Sequence, residues 1–234
     1  MLRTIRLGEA DRIITMLTSE HGKVRAVAKG VRKVRSHIGA RLEPLTHVDL
    51  LCWRGRELDI VTQVEVLDIF KGIRTDLGRL EPAMTMVEVV DQSTVDHQRA
   101  PELYTMLVGA LRTLEATGAP VILGAFCQKL LAVEGVGLVT DRCASCDSIG
   151  PLVAFDAREG GFLCSKCRRG QAVSEGVVML AQQIASGGLG RAIDDASSPL
   201  IESYEHLMTG AVEYHLDRRL RTTRHHLAEA QQTA

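Results

Sequence analysis

The sequence predicts an α+β protein of more than one domain, with a small β-barrel at the N-terminus and an α-helical domain after it. Up to about residue 70, apolar residues alternate with polar ones, as they do in strands that bury one face. From about residue 74 the apolar residues recur every three or four positions, which is typical of helices. Two C-x-x-C pairs interrupt the helical part.

Composition already excludes several classes of protein. With 45% hydrophobic and 24% charged residues, the 234-residue chain has ordinary globular composition and is not expected to be largely disordered. No apolar run approaches the length of a membrane span. Residues 1–6 contain no apolar signal region, so we expect a cytoplasmic protein without a membrane partner.

Strands are predicted at 12–17, 23–29, 46–53 and 58–66, and the third of these segments is paired with the fourth through a turn at Arg54-Gly55-Arg56. In 23–29, small apolar residues point to one face and basic residues to the other. Residues 30–42 are too basic for a buried element, so we expect a loop with one helical turn. Several short strands with glycine-containing turns predict a small closed sheet of the SH3 or OB kind, and strand counting does not separate the two.

Helices are predicted at 76–93, 101–117, 120–134, 174–186 and from 198 onward. Residues 101–117 have apolar side chains along one stripe, with Pro101 suited to a first helical turn. Residues 120–134 are apolar nearly all round, which indicates a helix at the centre of its domain.

A run of positive charge lies between Glu20 and Glu43, a stretch with no acidic residue. A run of one sign is typical of a polyanion-binding site, although it also fits a solvated face without a partner. The run consists of seven candidate DNA-binding residues: Lys23, Arg25, Lys29, Arg32, Lys33, Arg35 and Arg41.

The two C-x-x-C pairs predict one structural Zn²⁺ ion. Cys143 and Cys146 are followed, after 17 intervening residues, by Cys164 and Cys167, and a hairpin of that length brings both pairs to one tetrahedral ion. Four thiolates leave no open coordination position, which indicates a structural role. A redox dithiol pair or two disulfides are the alternatives. We expect Cys52 and Cys127 to be inert core residues.

Nothing in the sequence predicts an enzyme. No dinucleotide-binding glycine pattern, Walker A loop, zinc-protease helix or serine nucleophile elbow occurs.

Residues 1–72 contain two aromatic residues, Trp53 and Phe70, which is too few for binding single strands mainly by stacking. Trp53 is therefore interpreted as a half-buried sheet residue, with stacking on one base as the alternative.

Four segments, taken in order, resemble the family of the bacterial recombination mediator RecO: Gly8-Glu-Ala-Asp-Arg12, His21-Gly22-Lys23, Ala28-Lys29-Gly30-Val-Arg32-Lys33 and Gly39-Ala-Arg41-Leu-Glu-Pro44. The resemblance covers most of the chain and is densest over 2–66. It implies an OB-fold in 1–72 and a helical domain in 73–234 with a zinc-finger insertion at 140–170. It also implies around ten more residues before Leu2-Arg3-Thr4, so we expect a shortened first strand.

The resemblance further implies a function without catalysis. A protein of this family is expected to bind single- and double-stranded DNA, to anneal complementary strands and to help load recombinase in recombinational repair. Its partners would be RecR, single-strand-binding protein and, indirectly, RecA, at the nucleoid. The alternative is an RNA-binding or ribosome-associated zinc module, whose phosphate contacts would look the same.

Overall fold

The computed structural model describes residues 1–33, 36, 38–195 and 198–222. These residues form an α+β protein, as predicted. It divides into two compact units, Met1–Glu115 and Ala116–Ala234. The first unit contains the N-terminal sheet together with three helices, whereas the predicted domain boundary after residue 72 stays a prediction. None of the helices in the described ranges is both long and apolar enough to cross a membrane.

The N-terminal sheet contains five strands: β1 (Arg3–Leu7), β2 (Asp11–Thr18), β3 (Gly22–Ala28), β4 (His47–Trp53) and β5 (Asp59–Asp68). Their order is β1-β2-β3-β5-β4, and all neighbours are antiparallel except the β3–β5 pair, which is parallel. This Greek-key order is that of an OB-fold, and it decides between the two kinds of small sheet.

The predicted closure of the sheet is not found, because β1 and β4 form no ladder in the described structure; the sheet is OB-like but is not a closed barrel. The backbone N–H of Leu45 donates to the carbonyl oxygen of Met1 at 3.2 Å, just before the two edge strands begin. β1 is shorter than its neighbour: its five residues pair with Asp11–Thr15, so the last three residues of β2 extend beyond it.

The inner face of the sheet is the one that alternation predicted. Val24, Ala26 and Ala28 of β3 are buried, and they pack in a cluster with Ile14, Met16, Val31 and Leu42. Leu42 ends a 3₁₀ turn (Gly39–Leu42), which is the helical turn expected in the basic loop. Burial of this turn anchors the loop against the barrel core.

Helices follow the sheet within the first unit: α1 (Lys71–Arg74), α2 (Leu77–Ser93) and α3 (Pro101–Thr117). Asp76 caps α2, since its Oδ1 atom accepts a hydrogen bond from the backbone N–H of Gly78 at 2.9 Å. α2 and α3 match the predicted helices, whereas α1, at four residues, is too short to leave a periodic pattern.

The second unit is built around α4 (Val121–Val133), nearly all of which is buried, as its all-round apolar pattern predicted. α5 (Glu175–Ala185), α6 (Leu189–Asp195) and α7 (Ser198–Leu216) follow along the chain. Gln128 joins three helices: its Nε2 donates to the carbonyl of Ala181 at 2.8 Å, and its Oε1 accepts from the Tyr204 hydroxyl at 2.6 Å.

A small three-stranded sheet lies between α4 and α5 in sequence. It consists of β6 (Leu152–Asp156), β7 (Gly161–Cys164) and β8 (Gln171–Ala172), in the order β7-β6-β8. β6 and β7 form a hairpin whose turn ends at Gly160, with a φ of 72° that glycine adopts without strain. Phe155 and Phe162 pack edge to face across it, with ring centroids 5.2 Å apart.

Candidate nucleic-acid surface and metal centre

Lys23, the first residue of the predicted basic run, is engaged within the protein. Its Nζ donates to the carbonyl oxygen of Asp91 at 2.7 Å and lies 3.7 Å from Asp91 Oδ1 and 3.8 Å from Asp96 Oδ1. The side chain is only 12% exposed. Lys23 is therefore the member of the run least available to a phosphate.

Arg25 lies on the same outer face of β3, directly opposite Thr15 of β2. Its side chain is half-buried, and the Nε atom has no hydrogen-bond partner among the described residues. The neighbouring Thr15 hydroxyl is likewise buried without a partner in that part of the chain. Arg25 thus retains an unused donor at a partly covered position.

Lys29, Arg32 and Lys33 form an exposed group on the turn that follows β3. The turn is held in place by two backbone hydrogen bonds: Gly30 N–H donates to Asp11 Oδ1 at 2.7 Å, and Arg32 N–H donates to the Ala10 carbonyl at 2.9 Å. Across the described ranges, these three cations have no carboxylate within ion-pair distance. The turn therefore presents three exposed cations without a carboxylate partner among the described residues, of which Arg32 also donates from Nη1 to the carbonyl oxygen of Gly8 at 3.1 Å.

The two remaining candidates lie further along the loop. Arg41 is exposed on the 3₁₀ turn, and its Nη1 approaches the carbonyl oxygen of Val64 at 3.4 Å. Arg35 lies outside the described residues. The fold therefore brings Lys29, Arg32 and Lys33 together, while Arg41 lies beside β5 and Lys23 lies beside the end of α2.

A row of apolar residues crosses the whole outer face of the sheet. Register pairs Ile5 with Ile13, Ile13 with Val27, Val27 with Ile60 and Ile60 with Trp53, so the five side chains share one face. We call this set the outer row. Trp53, at its end, is 72% exposed, so its interpretation as a half-buried sheet residue is wrong.

The sequence analysis missed the outer row because it depends on register between strands that are far apart in sequence. Each strand shows only one or two apolar residues on its polar face, and such scattered residues are common on protein surfaces. Only the pairing of five strands places them side by side. In 58–66 the apolar residue Val61 is out of phase with the alternation, and this arises from a register shift between Leu51 and Cys52 of the neighbouring strand.

The four predicted ligand cysteines converge in the second unit. Their Sγ atoms all lie within 4.8 Å of one another, and Cys146 and Cys164 are separated by 3.8 Å. Zinc–sulfur bonds of about 2.3 Å in a tetrahedron place sulfur atoms about 3.8 Å apart. The four cysteines therefore fit one tetrahedral metal ion.

Local backbone geometry builds the two C-x-x-C knuckles. Asp147 N–H donates to the Cys143 carbonyl at 2.9 Å, and Cys167 N–H donates to the Cys164 carbonyl at 3.1 Å. Ala144 N–H donates to the Phe162 carbonyl at 2.8 Å, which joins the first knuckle to the β6–β7 hairpin. The predicted hairpin between the two pairs is confirmed.

Electrostatics at the cluster lower the pKa of one thiol, Cys143, and raise the pKa values of Cys146 and Cys167. Hydrogen bonds from backbone N–H groups, that of Cys164 first, lower the pKa of Cys143 to about 6 against the effect of burial. Contact with the Cys146 sulfur, together with burial, raises the pKa of Cys167 to about 12. Such thiols repel one another as thiolates, and a bound divalent cation removes that repulsion. Cys143 and Cys164 are buried while Cys146 is exposed, so an ion can enter from one side.

The remaining two cysteines lie apart from the cluster. Cys127 is fully buried in α4, and burial raises its pKa above the ordinary range of a thiol. Cys52 is half-buried against the barrel core, and burial also raises its pKa. Both therefore stay protonated and unreactive, as expected of core residues.

These features define a class of protein: an OB-like sheet followed by helices, with a hairpin whose four cysteines could hold one metal ion. Two family models match the chain, "Recombination protein O N terminal" over residues 1–70 and "Recombination protein O C terminal" over residues 74–224. The chain is also 41% identical, over 228 residues, to the DNA repair protein RecO of Frankia casuarinae, covering 94% of this chain and 93% of that protein.

The chain belongs to the recombination protein O family, and its role lies in DNA repair and recombination. The resemblance noted in the sequence is confirmed.

Proposed function

We propose that the chain is a non-enzymatic recombination mediator that binds single- and double-stranded DNA through phosphates, anneals complementary strands and helps load recombinase. The observation that carries the proposal is the group of exposed cations on the turn after β3. Lys29, Arg32 and Lys33 have no carboxylate partner among the described residues, so a phosphate backbone can neutralise them.

Binding through phosphates suits annealing. Phosphate contacts carry no direct sequence information and leave the base edges free to pair. Of the two aromatic residues in 1–72, Phe70 is 1% exposed and lies in the protein core, so most of the binding energy must come from charge. Arg25 and Arg41 supplement the three exposed cations, and Lys23 and Arg35 remain candidates from the sequence.

The four-cysteine cluster supports a function without catalysis. Four thiolates would complete the coordination sphere of a metal ion, which leaves no position for a reacting water molecule. We propose that the metal is a single Zn²⁺ whose role is to hold the β6–β7 hairpin. The cluster around the ligands is small, consisting of Cys143, Ala154, Leu163 and Cys164, so the metal supplies much of the folding free energy of this segment.

The proposed partners follow from membership of the family and the resemblance in the sequence. They are RecR, single-strand-binding protein and, indirectly, RecA, and the proposed place of action is the cytoplasm, at the nucleoid. A mediator of this kind acts where single strands are already coated, so it must function in the presence of single-strand-binding protein.

Annealing of coated strands tests the proposal most directly. Complementary oligonucleotides covered with single-strand-binding protein should anneal faster when the chain is added. Replacement of Lys29, Arg32 and Lys33 by alanine should abolish most of that acceleration. An unchanged annealing rate would contradict the proposal, and equal displacement of bound DNA by RNA would instead favour an RNA-binding module.

A further inference from the structure

We propose that Trp53 stacks on an unpaired nucleobase of a single DNA strand, and that the outer row of the sheet is the floor of this base-binding position. This inference rests on the proposed function and adds a base contact to the phosphate contacts. Because only an unpaired base can make this contact, the chain should bind single strands more tightly than duplex.

The position of Trp53 carries the inference. It ends β4, pairs with Ile60 of β5 and is 72% exposed, although the indole is the largest side chain in the protein. Leu51, two residues earlier on the same face, is 57% exposed. A large aromatic surface left in water at the end of a strand gains free energy when a flat apolar partner covers it.

The surface around Trp53 is complementary to a nucleic acid. Arg54 and Arg56 follow in the β4–β5 hairpin, and both are exposed, with Glu57 as the acidic residue of that loop. The hairpin is positioned by Gly55, whose N–H donates to Asp59 Oδ1 at 3.3 Å. The loop between strands four and five is one of the oligonucleotide-binding loops of OB-folds.

The strand register places Trp53 near the turn after β3, where we propose that phosphates bind. Val27 and Trp53 flank Ile60 on neighbouring strands, and Lys29 lies two residues beyond Val27. With strands about 4.8 Å apart and a rise of about 3.3 Å per residue, the Cα atoms of Trp53 and Lys29 are about 12 Å apart. A single strand lying across the sheet can therefore contact the arginines of the hairpin, the indole ring and the cations of the turn.

The chemistry selects an unpaired base as the occupant. Bases in a duplex already stack on their neighbours, so their faces are covered, whereas an unpaired base presents a free π-face. The exposed Arg54 and Arg56 beside the ring can bind the phosphates of the strand. An apolar protein partner has no phosphate groups for these arginines to bind.

Fluorescence of Trp53 reports the contact without labelling, because it is the single tryptophan of the chain. The full-length protein is titrated with a single-stranded oligonucleotide, with the same strand made abasic, and with a duplex, and the access of acrylamide to the indole is measured. The normal strand should quench the emission and protect the indole. The abasic strand and the duplex should bind and leave it accessible.

Affinities of three variants separate stacking from a structural role. Trp53→Ala should weaken binding of the normal strand by roughly 5- to 150-fold, the range expected for one base–aromatic contact. It should leave affinity for the abasic strand unchanged. Trp53→Phe should retain most of the affinity, and Tyr214→Ala, an exposed aromatic residue of the second unit, should behave as the unaltered protein.

The outcomes distinguish this inference from the proposed function. Single-strand binding with an indole as accessible as in the free protein overturns the stacking contact and leaves phosphate binding intact. Two other results also overturn it. The first is an equal loss of affinity of Trp53→Ala for the normal and the abasic strand. The second is protection of the indole without DNA, through self-association of the protein. Absence of any DNA binding overturns both proposals.

Discussion

Lys23 of β3 donates a hydrogen bond to the carbonyl oxygen of Asp91 near the end of α2, over 2.7 Å. The Asp91 carboxylate also pairs with Arg3 of β1, whose Nε lies 3.0 Å from Oδ2. Intramolecular ion pairs therefore occupy one end of the outer face of β3. The turn after its other end carries exposed cations that have no carboxylate partner in the part of the chain that the structure describes. The basic run that is continuous in the sequence is divided into a structural part and an exposed part.

Lys23 and Lys29 should consequently respond differently to replacement by alanine. Lys23→Ala removes a mostly buried charge from beside Asp91 and should lower the free energy of unfolding by about 1–3 kcal/mol. Lys29→Ala removes an exposed charge and should change stability by less than about 0.5 kcal/mol. Chemical denaturation of both variants measures the difference.

DNA binding supplies the complementary measurement. Lys29→Ala should weaken binding while Lys23→Ala, measured where it is fully folded, should weaken it less. A Lys23 variant that is fully stable but defective in DNA binding would show that the ion pairs open in the complex.

Binding should depend steeply on salt. If about four cations meet phosphates, the logarithm of the binding constant should fall with the logarithm of salt concentration at a slope of about −3 for single strands and about −3.6 for duplex. Replacing Lys29, Arg32 and Lys33 together should reduce the single-strand slope by about 2. Fluorescence anisotropy at several salt concentrations measures both slopes.

A matched control removes the same charge elsewhere. Arg99, Arg112 and Arg158 are exposed residues outside the barrel sheet, and their joint replacement by alanine should leave the slope nearly unchanged. Equal effects of the two triple variants would mean that net charge, and not the turn after β3, determines binding.

The four-cysteine cluster should hold one zinc ion per chain. Elemental analysis should give one equivalent, and a chelator should release it together with four titratable thiols. Cys143→Ser or Cys164→Ser should lose the metal and unfold the β6–β7 hairpin, with loss of the near-ultraviolet signal of Phe155 and Phe162.

Cys52→Ala is the control for the metal, since Cys52 is a half-buried cysteine of the other unit. It should retain the full zinc content. Zinc bound at one equivalent by a Cys143 variant would contradict the assignment of this ligand.

Stability of the first unit should depend on pH through His47. Burial, followed by nearby positive charges that include Arg112, lowers its pKa below 6.5, while Asp68 acts in the opposite direction. The unfolded chain therefore binds a proton that the folded protein does not, and the free energy of unfolding should decrease as pH falls below about 6.5. Its Nε2 lies 2.8 Å from the Tyr104 hydroxyl, a contact that protonation would alter.

Chemical denaturation at pH 5 and at pH 7.5 gives the change in the free energy of unfolding between the two pH values. Comparing that change in the unaltered protein and in a His47 variant gives the contribution of His47. His47→Gln keeps a polar group near Tyr104 but does not titrate, so part of the pH dependence should disappear. The same slope in both proteins would place the effect on another group, above all the buried amino group of Met1, whose pKa is lowered to about 5 by burial and by Arg74.

Local patterns predicted most of the elements. Alternation in 23–29 identified Val24, Ala26 and Ala28 as the inner face, and the stripe in 101–117 predicted α3 with its observed limits. The clustering of the four cysteines was also predictable, because two C-x-x-C knuckles and a connecting hairpin are determined by a short stretch of chain. Short elements such as α1 and α6 were missed, since they span too few residues to show a period.

The sequence by itself determined which residues are basic, which face of each strand is mainly apolar and which four cysteines form the candidate metal site, because these depend on neighbours a few positions apart. Only the tertiary structure decided that Lys23 is paired with Asp91 while Lys29 has no carboxylate partner among the described residues. It alone decided, too, that Trp53 is the exposed end of a row of five apolar side chains. Both depend on residues distant in sequence, which strand register and helix packing bring together.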